Sequence, residues 1–334
     1  MVDGQRFTPT RAEPGLRHPS LCLARRSRAC AALFASIAAL SACGDADEDG
    51  RSAGGAATPS ATSGSAEMES VSLGAEAYSV AYGFGAAWVQ VDPPVDGLVK
   101  VGEESGKVAP GVPGGRGVAI ADDAIWVAVA GETLEKIDPH SGIVLLTAKA
   151  PGANYVGEGA GAVWIPTEGG LARMDPRTGA MKKISTESEI TDLLATDDAV
   201  WATSKSAGLV LRIDPRQNAV VATIPTGAGA HGIAVDDSGV WVTNYTANTV
   251  SRIDPKTNKV AATIEGVGSG VGIRACDGAI FVSTRYEGIS RIDPETNQVT
   301  PLIPLNEWNY GIACGDGELW ISSTNGHVYR LPLG

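Results

Sequence analysis

Charge is scarce in this chain. Asp, Glu, Lys and Arg make up 19% of its 334 residues, against about 25% in an average globular protein. The balance is negative, with 26 basic and 38 acidic residues and a net charge of −12. Nucleic acid is therefore not an expected partner, because its phosphates would be repelled. No stretch sustains helical periodicity, and no apolar run approaches the ~20 residues that span a membrane as a helix. The five Cys and four His form no cluster with zinc spacing. A Gly-x-Ser-x-Gly elbow with a Ser/His/Asp order is absent too. At 43% hydrophobic the chain is nevertheless too apolar for ordinary disorder. Its 42 Gly, well above the usual ~7%, announce many tight turns.

The N-terminus carries an address. Arg25, Arg26 and Arg28 flank twelve uncharged residues from Ala29 to Leu40, the length of a signal-peptide core. Leu40-Ser41-Ala42-Cys43 follows and resembles the bacterial lipobox, in which the Cys is lipidated and becomes the mature N-terminus. A plain secretory signal with an unmodified Cys43 is the alternative. Residues 1–42 are read as a lipoprotein signal peptide. Their removal takes away six Arg and two acids, so the net charge becomes −16. Such a surface will not hold anionic lipid by charge, and attachment must come from acyl chains on Cys43. Residues 43–66 are the lipidated Cys and a disordered tether of Gly, Ala, Ser, Thr and Pro with a few acids. Asp45, Asp47, Asp49 and Gly50 mimic the start of a calcium loop, but Ala56 stands where a bidentate Glu is needed.

Residues 67–334 are repetitive. Trp88, Trp126, Trp164, Trp201, Trp241, Phe281 and Trp320 recur at intervals of 38, 38, 37, 40, 40 and 39. An Asp-Pro pair keeps step with them at Asp138, Asp175, Asp214, Asp254 and Asp293. One unit reads as four short strands: Gly232 to Val235, Val240 to Thr243, Thr249 to Ile253 and Lys259 to Ile264. In the Asp-Pro turn, Pro presets φ and the Asp side chain can bond backbone N–H groups two residues on. The fifth turn residue is Gly142, Gly179, Asn218, Asn258 or Asn297, the types that tolerate a left-handed backbone. Four antiparallel strands in ~40 residues, repeated, predict a β-propeller. An open solenoid and a six-bladed ring with a loose end are the alternatives. The seventh unit ends after its third strand near Leu331, and a spare strand lies at Glu69 to Leu73. Pairing the two would complete the last sheet and remove an exposed edge. The expected fold is thus all-β: a seven-bladed propeller of four-stranded antiparallel blades, the last closed by the N-terminal strand.

The stretch Val240-Trp-Val-Thr-Asn-Tyr-Thr-Ala-Asn-Thr-Val-Ser-Arg-Ile-Asp-Pro-Lys-Thr-Asn-Lys-Val-Ala-Ala-Thr-Ile264 resembles the YVTN repeat of YncE-like β-propellers. The resemblance is strongest in blades 4 to 6 and extends loosely over residues 71–331. It speaks for the fold and says little about activity. The streptogramin (virginiamycin B) lyases are a second, more distant resemblance. In that family a His opening strand one and a Glu closing strand two of the same blade act with Mg²⁺ in eliminating an ester C–O bond. His231 matches the His, whereas Asn244 stands at the Glu position. Asn is neither a base nor a good Mg²⁺ ligand.

The start of strand one and the end of strand two open on one face, around the central channel. Ten residues before each marker aromatic stand Tyr78, Arg116, Asn154, Thr191, His231, Val271 and Tyr310. Six of the seven are polar or aromatic, and apart from the two Tyr each blade differs, as a ligand-lining mouth would. Trp308 breaks the aromatic ruler beside Tyr310 and is either a plug or a stacking platform. Strand two ends add Glu168, Lys205, Asn244, Tyr245 and Arg285. The candidate ligand-binding set is Tyr78, Arg116, Asn154, His231, Asn244, Arg285, Trp308 and Tyr310. Arg116, Lys205 and Arg285 would suit an anionic ligand.

The expected function is a membrane-anchored, extracytoplasmic, monomeric binding module for a small molecule or an envelope protein, with no cofactor and no metal. A lyase or hydrolase using His231 with Mg²⁺ is one alternative, and an envelope scaffold that works through its blade edges is another. Cys276 and Cys314 end strand one in adjacent blades and are candidates for a disulfide. Their registers differ by one residue relative to the marker aromatic.

Overall fold

The computed structural model describes residues 68–102, 107–108, 115–121 and 123–333, with the backbone alone for residues 107–108 and 115–116. The expected signal peptide, Cys43 and the expected tether lie outside the described residues. Among the described residues there are strands and turns but no helix. The strands form seven four-stranded antiparallel sheets, each running inner to outer in chain order. The last sheet departs from that rule as the sequence predicts: Glu69–Ser72 pairs antiparallel with His327–Pro332, placing Val71 opposite Val328 and Ser70 opposite Tyr329. Blade 1 spans 77–108 and blades 2 to 6 span 115–149, 157–185, 192–225, 230–264 and 270–303. Blade 7 is 309–332 with the N-terminal strand outermost.

Neighbouring inner strands touch all the way round, and Ala77–Gly83 meets Asn309–Gly315, so the circle is shut. Side chains lock that seam. Ser322 Oγ donates to the Tyr78 carbonyl at 2.6 Å, and the Tyr82 hydroxyl donates to Asp316 at 2.5 Å. The Tyr82 ring stacks on Trp320 with centroids 5.8 Å apart.

Each marker Trp has two jobs. It is buried against the next blade: Trp164 packs with Leu193 and Val200, and Trp241 with Ile273 and Ile280. Burying one such ring stabilises by roughly 2–3 kcal/mol. On its other side a cation from strand three covers it. Lys100, Lys136, Arg173, Arg212, Arg252 and Arg330 are paired across the ladder with Trp88, Trp126, Trp164, Trp201, Trp241 and Trp320. Their charges lie 5.0 to 5.8 Å from the ring centres. Two of these Arg also tie blades together. Arg212 donates to the Pro255 carbonyl and to Asn258 Oδ1, and Arg252 to the Pro294 carbonyl, each bond ending on the next blade's Asp-Pro turn.

The turns are built as their sequence dictates. Asp138, Asp175, Asp214, Asp254 and Asp293 each accept the N–H two residues on. These bonds hold the five exposed carboxyls below the ordinary Asp range. Gly142, Gly179, Asn218, Asn258 and Asn297 adopt φ of 53 to 72°, the left-handed conformation the hairpin needs.

Cys276 and Cys314 are joined by a disulfide, with Cα atoms 6.3 Å apart. The one-residue offset between them is what permits it. Side chains alternate between the two faces of a sheet, and neighbouring blades present opposite faces to each other. Two Cys in identical registers would point the same way round the ring. An offset of one turns them towards one another.

Candidate functional site

The mouth of the channel is made by irregular backbone. The inner-to-second-strand register shifts at Ala77/Val80, Gly115/Gly117, Ala230/Ile233, Gly270/Ile273 and Asn309/Ile312. Tyr78, Arg116, His231, Val271 and Tyr310 lie in these bulges. A bulge re-aims a side chain out of the ladder. In each of these five blades it sets one extra residue into the inner strand. The next residue is Gly in four of the five because the following blade's backbone passes too close for a side chain. A Cβ on Gly232 would meet the Val271 carbonyl oxygen at 2.4 Å, and one on Gly311 the Tyr78 carbonyl oxygen at 2.8 Å.

A belt of hydroxyls fixes these bulges. Thr203, Thr243, Ser283 and Ser322 each stand two residues after the marker aromatic and are fully buried. Each accepts an N–H of its own blade's inner strand, from Asp192, Gly232, Gly272 or Gly311 at 2.8 to 3.1 Å. Each donates to the carbonyl of the next blade's mouth residue: His231 at 2.6 Å, Val271 at 3.4 Å, Tyr310 at 3.5 Å and Tyr78 at 2.6 Å. The sequence reading missed this belt. Its signal is a Thr or Ser at marker-plus-two in blades 4 to 7, where blades 2 and 3 carry Ala128 and Pro166.

Above the belt the structure gathers Tyr78, Lys205, His231, Tyr245, Val271, Trp308 and Tyr310 around a depression of about 450 Å³, with Glu76 and Thr324 at its wall. Tyr310 stands at the middle of an aromatic cluster. Its ring lies edge-on to Tyr78 at 5.6 Å and to His231 at 6.5 Å, and is tilted against Trp308 at 6.0 Å. Its hydroxyl is 3.2 Å from that of Tyr155, which lies on the approach to blade 3. Two cations complete the group. Lys205 Nζ lies 4.5 Å above the Tyr245 ring. Arg285 donates to the Tyr245 hydroxyl at 2.9 Å and places its guanidinium 4.4 Å from the Trp308 ring centre.

His231 is 8% exposed and its Nδ1 has no hydrogen-bond partner. Burial, aided by the positive charge of Lys205 and opposed by a bond to the Val271 backbone, pushes its pKa down to about 4, so the ring is neutral at pH 7. The Tyr78 phenol is pushed well above its ordinary pKa by its bond to the Glu76 carboxylate and by burial. Deeper in the channel a chamber of about 80 Å³ is lined by Asp192 and Arg274, among others. These two interact electrostatically. Burial lifts Asp192 to about 6 against the opposing pull of Arg274, and lowers Arg274 from its usual value.

Solved structures with this fold carry a function in their names. Virginiamycin B lyase from Staphylococcus aureus superposes with a TM-score of 0.69 at 16% identity, over 80% of this chain and 99% of that one. A streptogramin B lyase gives 0.67 at 17%, over 80% and 98%. A catalytically inactive His-to-Ala variant of the S. aureus enzyme, with quinupristin, gives 0.68 at 15%, over 80% and 99%. What is shared is the fold. Residues 118–257 match the family described as a domain of unknown function, DUF5074. No curated protein matches the chain.

Of the predicted site residues, Tyr78, His231, Trp308 and Tyr310 meet at one depression, with Arg285 behind two of its rings. Asn154 is exposed on a neighbouring groove of about 810 Å³ that also holds Thr191, Glu168 and Lys205. Arg116 lies in the bulge of blade 2, and its side chain is outside the described residues. Asn244 does not face the mouth. It is fully buried, its Oδ1 accepts the Gly227 N–H, and its Nδ2 donates to Thr249 and Ser251. Both amide hydrogens are thereby used, and the side chain is enclosed away from any ligand at the mouth. Among the described residues no three His, Cys, Asp or Glu side chains are grouped to hold a metal. The Mg²⁺ set implied by the lyase resemblance does not fit here, because its carboxylate position is the internally bonded Asn244. Tyr155 and Tyr245 were not in the predicted set of ligand contacts, and the channel pair Asp192 and Arg274 was not singled out.

Proposed function

We propose that this chain is an exported propeller, held at the bacterial membrane through acyl chains on Cys43, that binds a small molecule or an envelope protein at its channel mouth. The reading rests on one observation: four aromatic rings, the Lys205 cation and the buried ring of His231 converge on a single depression, with Arg285 behind two of the rings. Ring closure and the hydroxyl belt hold those groups in place before any ligand arrives, so little ordering entropy opposes binding. The test is an unbiased thermal-shift screen of the full chain beside its Trp308→Ala and Tyr310→Ala variants. A ligand selective for the native state at about 100 times its Kd stabilises by about 2.7 kcal/mol. Hits should lose their effect in both variants, and hits that stabilise all three proteins equally would place binding elsewhere. Anchoring has its own test: Cys43→Ser should move the protein from the membrane fraction to the soluble one.

A second reading is a C–O lyase or hydrolase acting through His231. The place of His231 at the mouth favours it, as does the likeness to a lyase whose His-to-Ala variant is inactive. A ring with a pKa of about 4 is a weak general base, and its expected carboxylate partner is the enclosed Asn244. Turnover of a cyclic depsipeptide by wild type with added Mg²⁺, abolished in His231→Ala, would establish this reading against the binding module.

A further inference from the structure

The mouth also has a charge balance that its rings alone do not explain. Lys205 and Arg285 flank one phenol, that of Tyr245, from two different blades. Neither makes an ion pair with a described residue, whereas Arg330 pairs with Glu318 and Lys136 with Asp123. Two like charges around one ring repel, and in a chain of net charge −12 there are many acids that could have been placed between them. Arg285 Nε is buried without a partner, as is Nε1 of Trp308 beside it. Across the depression Glu76 accepts the Tyr78 hydroxyl, and Asp92 acts on the same phenol.

We propose that the mouth depression binds an aromatic carboxylic acid, its carboxylate drawn to the Lys205–Arg285 side beside His231 and its ring set among Tyr78, Trp308 and Tyr310. The inference rests on the reading of the mouth as a binding site and names the ligand class. A single carboxylate is the anion that fits the balance. Glu76 and Asp92, which both act on the Tyr78 phenol, repel a phosphate dianion more strongly than a monoanion. A cavity of about 450 Å³ lies in the range of small-molecule sites. The rings supply an apolar, edge-and-face surface suited to a planar aromatic body.

The experiment titrates the full chain with phenylacetate, phenylacetamide and phenyl phosphate, following the intrinsic Trp fluorescence and confirming each affinity by calorimetry. Phenylacetate should saturate, with the amide about tenfold weaker or more and the phosphate weaker than the carboxylate. Its affinity should fall as salt is raised. Lys205→Met, an exposed change that leaves folding intact, should weaken phenylacetate at least about fivefold and leave the amide unchanged. Equal binding of acid and amide, tighter binding of the phosphate, or no saturation by about 10 mM phenylacetate overturns the carboxylate assignment. Trp308→Ala separates this failure from a deeper one. If Trp308→Ala abolishes binding while amide and acid bind alike, the mouth stands and the ligand class falls. If phenylacetate binds Trp308→Ala and His231→Gln as it binds wild type, both readings fall.

Discussion

The hydroxyl belt predicts a large effect from the removal of one oxygen. Thr203→Val keeps the shape of a fully buried side chain and deletes only its hydroxyl. In the wild type that oxygen accepts the Asp192 N–H at 3.1 Å and donates to the His231 carbonyl at 2.6 Å. No cavity forms and little apolar burial changes, so the cost is that of two backbone groups left unpaired away from water. Each such group costs about 1–3 kcal/mol, and the pair about 2–4 kcal/mol after partial relaxation. A chain of this size loses roughly 2–4 °C in melting temperature per kcal/mol, so the variant should melt about 5–12 °C below wild type. Differential scanning calorimetry reads that shift, and urea unfolding should give a lower midpoint at an unchanged slope. A local readout goes with it, because His231 hangs from the carbonyl that Thr203 holds. Its ring resonances in NMR should shift in Thr203→Val more than in a control such as Thr257→Val on an exposed turn. A melting change of under about 2 °C together with an unmoved His231 would falsify the belt as the element that sets the mouth.

Removing the inter-blade Arg should also be felt. Arg252→Met loses bonds to the Pro294 carbonyl at 2.7 Å and to the Ser238 carbonyl at 2.8 and 3.1 Å, with the cation over Trp241, and is expected to cost about 1.5–3 kcal/mol in urea unfolding. Asp192→Asn removes a carboxylate whose burial penalty outweighs the pull of Arg274, so by the same measurement it should leave stability equal or higher at pH 7, an advantage that fades as pH falls towards 4. His231 makes stability depend on pH. Its folded pKa of about 4 lies below the unfolded 6.5, so the native state binds fewer protons and the stability it contributes above pH 6.5 is lost as pH falls towards 4. Asp192, raised to about 6, acts in the opposite direction between about 4 and 6. The test is therefore the difference between wild type and His231→Gln, which should narrow steadily from pH 7 to pH 4. Replacing Cys276 and Cys314 with Ser opens a link of 38 residues between blades 6 and 7 and should lower stability by about 2–4 kcal/mol, matching wild type under reducing conditions.

Much of this structure was legible in the chain because each repeat carries its own local chemistry. The Asp-Pro turns needed nothing beyond their residues: Asp accepts, Pro presets φ, and Gly or Asn takes the left-handed position. The aromatic ruler was equally local, and it fixed the number of blades. Closure by residues 69–72 could be foreseen because an unfinished sheet at one end and a spare strand at the other have a single economical solution. The mouth register was found by counting back from the ruler, and it brought Tyr78, His231 and Tyr310 to one place. Counting forward was less successful. Asn244 and Tyr245 are neighbours at the end of one strand, yet one is enclosed by Thr249 and Ser251 and the other forms the mouth.

The sequence by itself determined the strands, the turns, the blade count and the closing strand, since these depend on contacts within one repeat or on the plain need to pair an edge. The tertiary structure decided which side chains meet. Tyr155 and Tyr310 are 155 residues apart in the chain, yet their hydroxyls lie 3.2 Å from each other. Arg285 reaches Tyr245 from the next blade, and a one-residue offset aims Cys276 at Cys314. Such contacts depend on how a bulge tilts one backbone and how closely the neighbouring blade approaches it. Periodicity records neither, because it counts residues along the chain and the mouth is assembled across it.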